Sequence, residues 1–198
     1  MTALDRASTA APSRTWRTRD ILITAVIGVV FGVVFAAWNN LYAGLAWLTP
    51  PLSDLIYGLW LVPAILAPLI VRKPGAALFA EIAAASISAL IFSQWGPDTL
   101  VSGFMQGAAA ELVFALVGYR RWSLPVLAIA AVASAAAAWV HDWFLYYADA
   151  SVELQLVRLA VMAVSAVAFA AMGSLALARS LDRAGVLQGF AASRGSTA

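Results

Sequence analysis

Four ionisable side chains stand inside stretches that are otherwise apolar: Glu81, Glu111, Asp142 and Arg158. A charge in an apolar span is costly and is retained where it meets a partner, a cavity or a function. Asp142 offers the most definite chemistry. On a helix, Trp139, Asp142, Trp143 and Tyr146 share one face by their three- and four-residue spacing. Aromatic rings beside a carboxylate make a seat for a flat, cationic or amino-bearing heterocycle, through stacking, cation–π attraction and charge-assisted hydrogen bonds. Two plainer readings stand beside that one. Asp142 and Arg158 could form an interhelical ion pair, and Trp143 and Tyr146 could belong to the aromatic belt favoured at membrane interfaces. Trp38, Tyr57, Trp60 and Trp95 carry the same ambiguity between belt and cradle. Glu81 and Glu111, counted from Lys73 and Arg120 at about 1.5 Å per helical residue, fall at similar depth; they either share a site or cap different contacts. His141 points to another face of its helix and reads as structural or interfacial.

No recognisable catalytic pattern accompanies these residues. The chain has no zincin-type HExxH, no GxSxG elbow, no P-loop and no dinucleotide fingerprint. With no cysteine and one histidine, a thiolate- or His-ligated metal centre is not expected. We therefore expect no catalytic residues, no metal and no cofactor, and any ATP hydrolysis would reside on another chain.

The elements that must position the charged residues follow from composition. Of 198 residues, 63% are hydrophobic and 11% charged, and the mean hydropathy is +0.88; ordinary soluble domains are about 45–50% apolar and about 25% charged. A soluble fold is excluded, and at about 20 apolar residues per crossing the length allows six spans. The net charge of +2 is not laid out as a basic face interleaved with aromatics, so nucleic acid is not an expected partner.

Apolar runs bounded by charges or turn residues predict an all-α bundle with spans Ile21 to Trp38, Leu52 to Val71, Ala76 to Phe92, Leu100 to Tyr119, Leu124 to Tyr147 and Leu154 to Ala178. Residues 1–20 read as a disordered cytoplasmic tail, 21–178 as one transmembrane domain and 179–198 as a cytoplasmic C-terminal tail. The connector from Asn39 to Ser53, with Trp47 and the Pro50-Pro51 pair, is apolar enough to pack on the bundle as a lid. Eleven of the twelve Lys and Arg residues fall on one side of a six-span arrangement, which predicts that both termini are cytoplasmic. Small residues at four-residue spacing, Gly28, Gly32 and Ala36 in span one and Ala76, Ala80, Ala84 and Ser88 in span three, allow close helix contact in lipid. For span one this means either internal packing or docking to a separate membrane subunit.

Particular stretches resemble a known family. Tyr57-Gly58-Leu59-Trp60, Arg72-Lys73-Pro74-Gly75-Ala76-Ala77, Glu81-Ile82, Gln106-Gly107-Ala108-Ala109-Ala110-Glu111, Ser123-Leu124-Pro125-Val126 and Gly185-Val186-Leu187-Gln188-Gly189 resemble the YkoE family. Its members are substrate-binding S components of energy-coupling factor (ECF) transporters, associated with thiamine or its hydroxymethylpyrimidine precursor. The resemblance runs over nearly the whole chain, and the RKPGAA and QGxxAE stretches are its most specific pieces. It implies a six-helix bundle in the bacterial cell membrane with an outward-opening pocket roofed by the first connector. It also implies thiamine or hydroxymethylpyrimidine as the transported ligand, and a transmembrane coupling subunit with two cytosolic ATPases as partners. Tyr57, Trp60, Glu81, Gln106, Glu111 and Asp142 are then the candidate ligand residues, joined by Trp139 and Tyr146 from the aromatic face; Gly28, Gly32 and Ala36 are the candidate docking stripe. A stand-alone transporter relaying protons through Glu81 and Glu111 is the competing expectation.

Overall fold

The computed structural model describes residues 15–44 and 50–190, and these are helical without strands. Six rods follow in chain order: α1 (Thr18–Gly44), α2 (Ser53–Val71), α3 (Ala76–Ile91), α4 (Asp98–Leu116), α5 (Leu124–Tyr146) and α6 (Val152–Arg183). Five are long and apolar enough to cross a membrane; α3, with 16 residues, is shorter. At about 1.5 Å per residue α3 reaches roughly 24 Å, short of a typical hydrocarbon core. Residues 1–14 of the expected N-terminal tail, residues 45–49 of the expected lid, which include Trp47, and residues 191–198 lie outside the described residues.

Rod α2 is the axis of the bundle. Every residue from Val62 to Val71 is buried, and α3 and α6 flank it, while α1, α3, α4, α5 and α6 touch in sequence around it. Its first half, Ser53–Leu61, is wound as a 3-10 helix, and the turn becomes α-helical at Val62, with Pro63 in the first turn where its missing N–H costs nothing. Across from the 3-10 half, α6 widens into a π-helix over Ala166–Gly173. Gly58 lies against the backbone of Ser165, where a Cβ would meet the Ser165 carbonyl. The Gly58 N–H donates to Ser165 Oγ at 2.9 Å, and that hydroxyl donates to Leu55 O at 2.7 Å. In lipid the irregular backbone of α2 is tolerable where the Ser165 side chain of α6 supplies both a donor and an acceptor to it.

Several sequence expectations change in detail. Helix α1 runs on to Gly44, so Asn39 to Gly44 are helical rather than connector. The C-terminal segment is not a free tail over its described part: α6 continues to Arg183, Leu187 is fully buried, and Arg19 sits 5.4 Å over the Phe190 ring. The small-residue stripe is internal. A Cβ on Gly28 would stand 2.5 Å from Ala83 Cβ, and one on Gly32 would stand 2.5 Å from Ile87 Cβ and 2.9 Å from the Ala84 carbonyl. Ala36 is buried on the same helix face. The stripe lets α1 press against α3, and it is not a surface left for a second subunit, so its assignment as a docking stripe is corrected.

Because even a methyl at Gly32 collides with backbone, Gly32→Ala is expected to destabilise the bundle by about 1–3 kcal/mol. Gly44→Ala, where no heavy atom lies within 4 Å of the added carbon, is expected to leave thermal stability in detergent unchanged.

Candidate functional site

A cavity of about 270 Å³ opens between α1, α2, α3, α4 and α5 at the end of the bundle away from Arg72, Lys73, Arg120 and Arg121. Its depth is set by two glycines. Gly103 and Gly107 on α4 let α3 approach so closely that a Cβ on Gly103 would stand 2.6 Å from Ala85 Cβ, and one on Gly107 would stand 3.0 Å from Glu81 Cβ. Glu81 forms the floor. Its Oε2 accepts the Ala64 N–H at 3.0 Å, one of the donors left without a partner where the α-helical half of α2 begins. Gln106 donates to Tyr57 Oη at 3.3 Å and to Ser102 Oγ at 2.6 Å, and its carbonyl accepts from Ser134.

One wall is aromatic. Trp60 packs edge-on against Tyr57, Tyr42 and Trp95, with ring centroids at 5.2, 5.1 and 5.7 Å, and Tyr42 lies 5.8 Å from Trp95. Asn39, 1% exposed, ties this wall together. Its Oδ1 accepts the Trp60 indole N–H at 3.0 Å, while its amide donates to Ser88 Oγ and to the Phe92 carbonyl. Indole and phenol rings held at steep mutual angles keep their faces available for a flat guest.

The facing wall is ionic. Asp98, in the first turn of α4, accepts from His141 Nε2 at 3.0 Å and from the Tyr146 hydroxyl, both on α5. His141 Nδ1 lies 3.3 Å from Asp142 Oδ1, and Asp142 Oδ2 lies 3.7 Å from Arg158 Nη2. Arg158 does not line the cavity; its main partner is Asp54, with Nε 2.9 Å from Oδ2 and Nη2 3.3 Å from Oδ1. Its guanidinium carbon also stands 3.6 Å from the centre of the Tyr147 ring. The interhelical pair expected between Asp142 and Arg158 is thus one arm of a three-residue contact, and Asp54 is the closer arm.

Six of the eight candidate ligand residues, Tyr57, Trp60, Glu81, Gln106, Asp142 and Tyr146, line this one cavity. Glu111 and Trp139 do not. Glu111 accepts the N–H groups of Gly75 at 2.6 Å and Ala77 at 3.0 Å, together with the Tyr119 hydroxyl at 2.6 Å, so it caps the start of α3 at the opposite end of the bundle. The two glutamates therefore do not share a site. Trp139 turns from the cavity, donating to the Gln155 carbonyl at 2.8 Å and packing on Trp143. Sequence reasoning missed Asn39, Tyr42, Asp98 and His141 as cavity residues. Two amides following Trp38 at the end of an apolar run, and an acid placed directly after Pro97, were the available signals.

A cavity with aromatic rings on one side and carboxylates on the other suits a planar guest that carries amino groups or positive charge, and among its described lining residues none is Lys or Arg. Asp98 and Asp142 approach opposite nitrogens of His141 and so do not converge on a point; no trio of His, Asp or Glu among the described residues is arranged to hold a metal ion. Since Glu111 works as a helix cap far from this cavity, Glu111→Ala is expected to lower stability by about 1–2 kcal/mol. The dissociation constant of any cavity ligand should be unaffected in a direct binding titration of that variant.

The family described as the permease component of an ABC-type cobalt transport system matches residues 19–137. The Bacillus subtilis (strain 168) protein YkoE, which carries the provisional designation of HMP/thiamine permease, is 36% identical over 180 residues, covering 90% of each chain. A solved structure described as the crystal structure of an S-component of an ECF transporter superposes with a TM-score of 0.85 at 36% identity, covering 91% of this chain and 92% of that one. The helices and their order thus agree with a transporter component along nearly the full length, and the chain belongs to the YkoE family of multi-pass proteins of the bacterial cell membrane.

Proposed function

We propose that the chain is the substrate-capturing component of an ECF-type importer and takes thiamine, or its hydroxymethylpyrimidine precursor, from outside the cell. The observation that carries this reading is the cavity itself, with the rings of Tyr42, Tyr57, Trp60 and Trp95 facing Asp98 and Asp142. An aminopyrimidine stacks on such rings and donates its amino group to a carboxylate, while a thiazolium brings the positive charge that the acidic wall favours. The designation of the Bacillus subtilis relative supports the same ligand class. A cobalt cargo finds no matching ligand set among the described residues.

In this reading the Arg- and Lys-rich end faces the cytoplasm, the cavity opens outward, and α3 makes a sixth, short crossing that the bilayer meets by local thinning. A transmembrane coupling subunit and two cytosolic ATPases supply the work, because this chain carries no P-loop. The proton-relay alternative loses its support, since Glu81 and Glu111 accept backbone N–H groups at separate helix starts.

The test is ligand-dependent thermal stabilisation of the detergent-solubilised protein. Thiamine or hydroxymethylpyrimidine is expected to raise the melting temperature, while riboflavin and biotin are expected to leave it unchanged. No shift with either pyrimidine would overturn the reading. With two aspartates and no Lys or Arg among the described lining residues, thiamine monophosphate is expected to bind at least about tenfold more weakly than thiamine, a penalty of roughly 1.4 kcal/mol, in a competition titration.

A further inference from the structure

His141 stands between the two carboxylates of the cavity wall. Its ring nitrogens lie 3.0 Å from Asp98 Oδ1 and 3.3 Å from Asp142 Oδ1, and its side chain is 3% exposed. An ionised carboxylate only accepts, and a neutral imidazole donates from one nitrogen while the other presents a lone pair. With both carboxylates ionised, the two contacts are both hydrogen bonds only when the ring is an imidazolium, which places a positive charge in the wall that a cationic guest would occupy. The neighbouring groups leave that charge in place. Tyr146 donates to the second oxygen of Asp98 and its ring stands 6.2 Å from the imidazole. Behind Asp142, Arg158 is matched by Asp54 and stacked on Tyr147.

We infer that His141 is a proton site antagonistic to ligand: a cation entering the cavity takes up the field and the lone pairs of Asp98 and Asp142, and the imidazolium releases its proton to solvent. This rests on the reading of the cavity as a seat for thiamine. The proton is bound in the empty state and released in the complex, so affinity rises with pH and falls on acidification. Reciprocity of linkage requires that protonation weaken thiamine binding by the same factor by which thiamine weakens protonation.

Calorimetric titration of the full-length protein with thiamine, between pH 6 and 8 and in buffers of different ionisation heat, counts the protons released. For the wild type a net release is expected, together with a loss of affinity of about fivefold or more at the acidic end. His141→Gln is expected to bind with no proton release and with affinity independent of pH. Should that variant fail to fold, Asp98→Asn leaves the ring a single carboxylate partner and is expected to release fewer protons than the wild type. Binding without proton release in the wild type, or the same release in the His141→Gln or Asp98→Asn variant, would overturn the inference and leave the assigned ligand standing. Absence of thiamine binding at every pH would overturn both.

Discussion

A guanidinium in the apolar interior of a membrane bundle has to be matched, and the match for Arg158 organises the rest of this molecule. An unpaired charge there would cost several kcal/mol. The side chain, 1% exposed, binds Asp54 from the 3-10 half of α2, reaches Asp142 on α5 and lies over the ring of Tyr147. Rod α6 puts none of its described residues into the cavity, yet through this one side chain it fixes two of the rods that do. Asp142 is held at 3.7 Å from Arg158 on one oxygen and 3.3 Å from His141 on the other, and His141 passes the constraint to Asp98 on α4. The ionic wall is a chain of contacts anchored outside the site.

The aromatic wall has its own anchor in Asn39. One amide joins α1 to the Trp60 indole of α2 and to Ser88 and Phe92 around the end of α3. The two walls meet over a floor where Glu81 completes the broken hydrogen bonding of α2. Polar groups in this bundle therefore do two kinds of work. Glu111 and Asn39 complete or join helices, whereas Asp98, His141 and Asp142 are joined to each other along the cavity wall and remain within reach of a guest.

Much of this was legible in the sequence, and what was not has a physical reason. Helix positions followed from hydropathy and from the turn chemistry at Arg72-Lys73-Pro74-Gly75 and Trp95-Gly96-Pro97-Asp98. The clustering of Tyr57, Trp60, Gln106 and Asp142 was recovered because depth along a helix and residue type select the same few positions. Facing was harder. Helical spacing placed Trp139 with Asp142, but Trp139, three residues earlier on α5, donates its indole N–H to the Gln155 carbonyl and so turns to α6. Depth counting also failed for Glu111, because its long side chain reaches back to the N–H groups that open α3. Asp54 did not stand out in the sequence, since nothing local tells an acid in a 3-10 turn that its partner lies 104 residues later. The glycine stripe of α1 had two readings with the same spacing, and only the position of Ala83 and Ile87 on α3 decides between them.

The claim that the site is held by a contact outside it is open to one direct measurement. Replacing the Asp54 and Arg158 pair together, as Asp54→Leu with Arg158→Met, removes both charges and keeps apolar volume, so the bundle should remain folded. The account predicts that this double variant keeps its helical content and unfolds cooperatively but binds thiamine at least about tenfold more weakly, because Asp142 has lost the cation that orients it. A folded double variant with the wild-type dissociation constant would contradict the account.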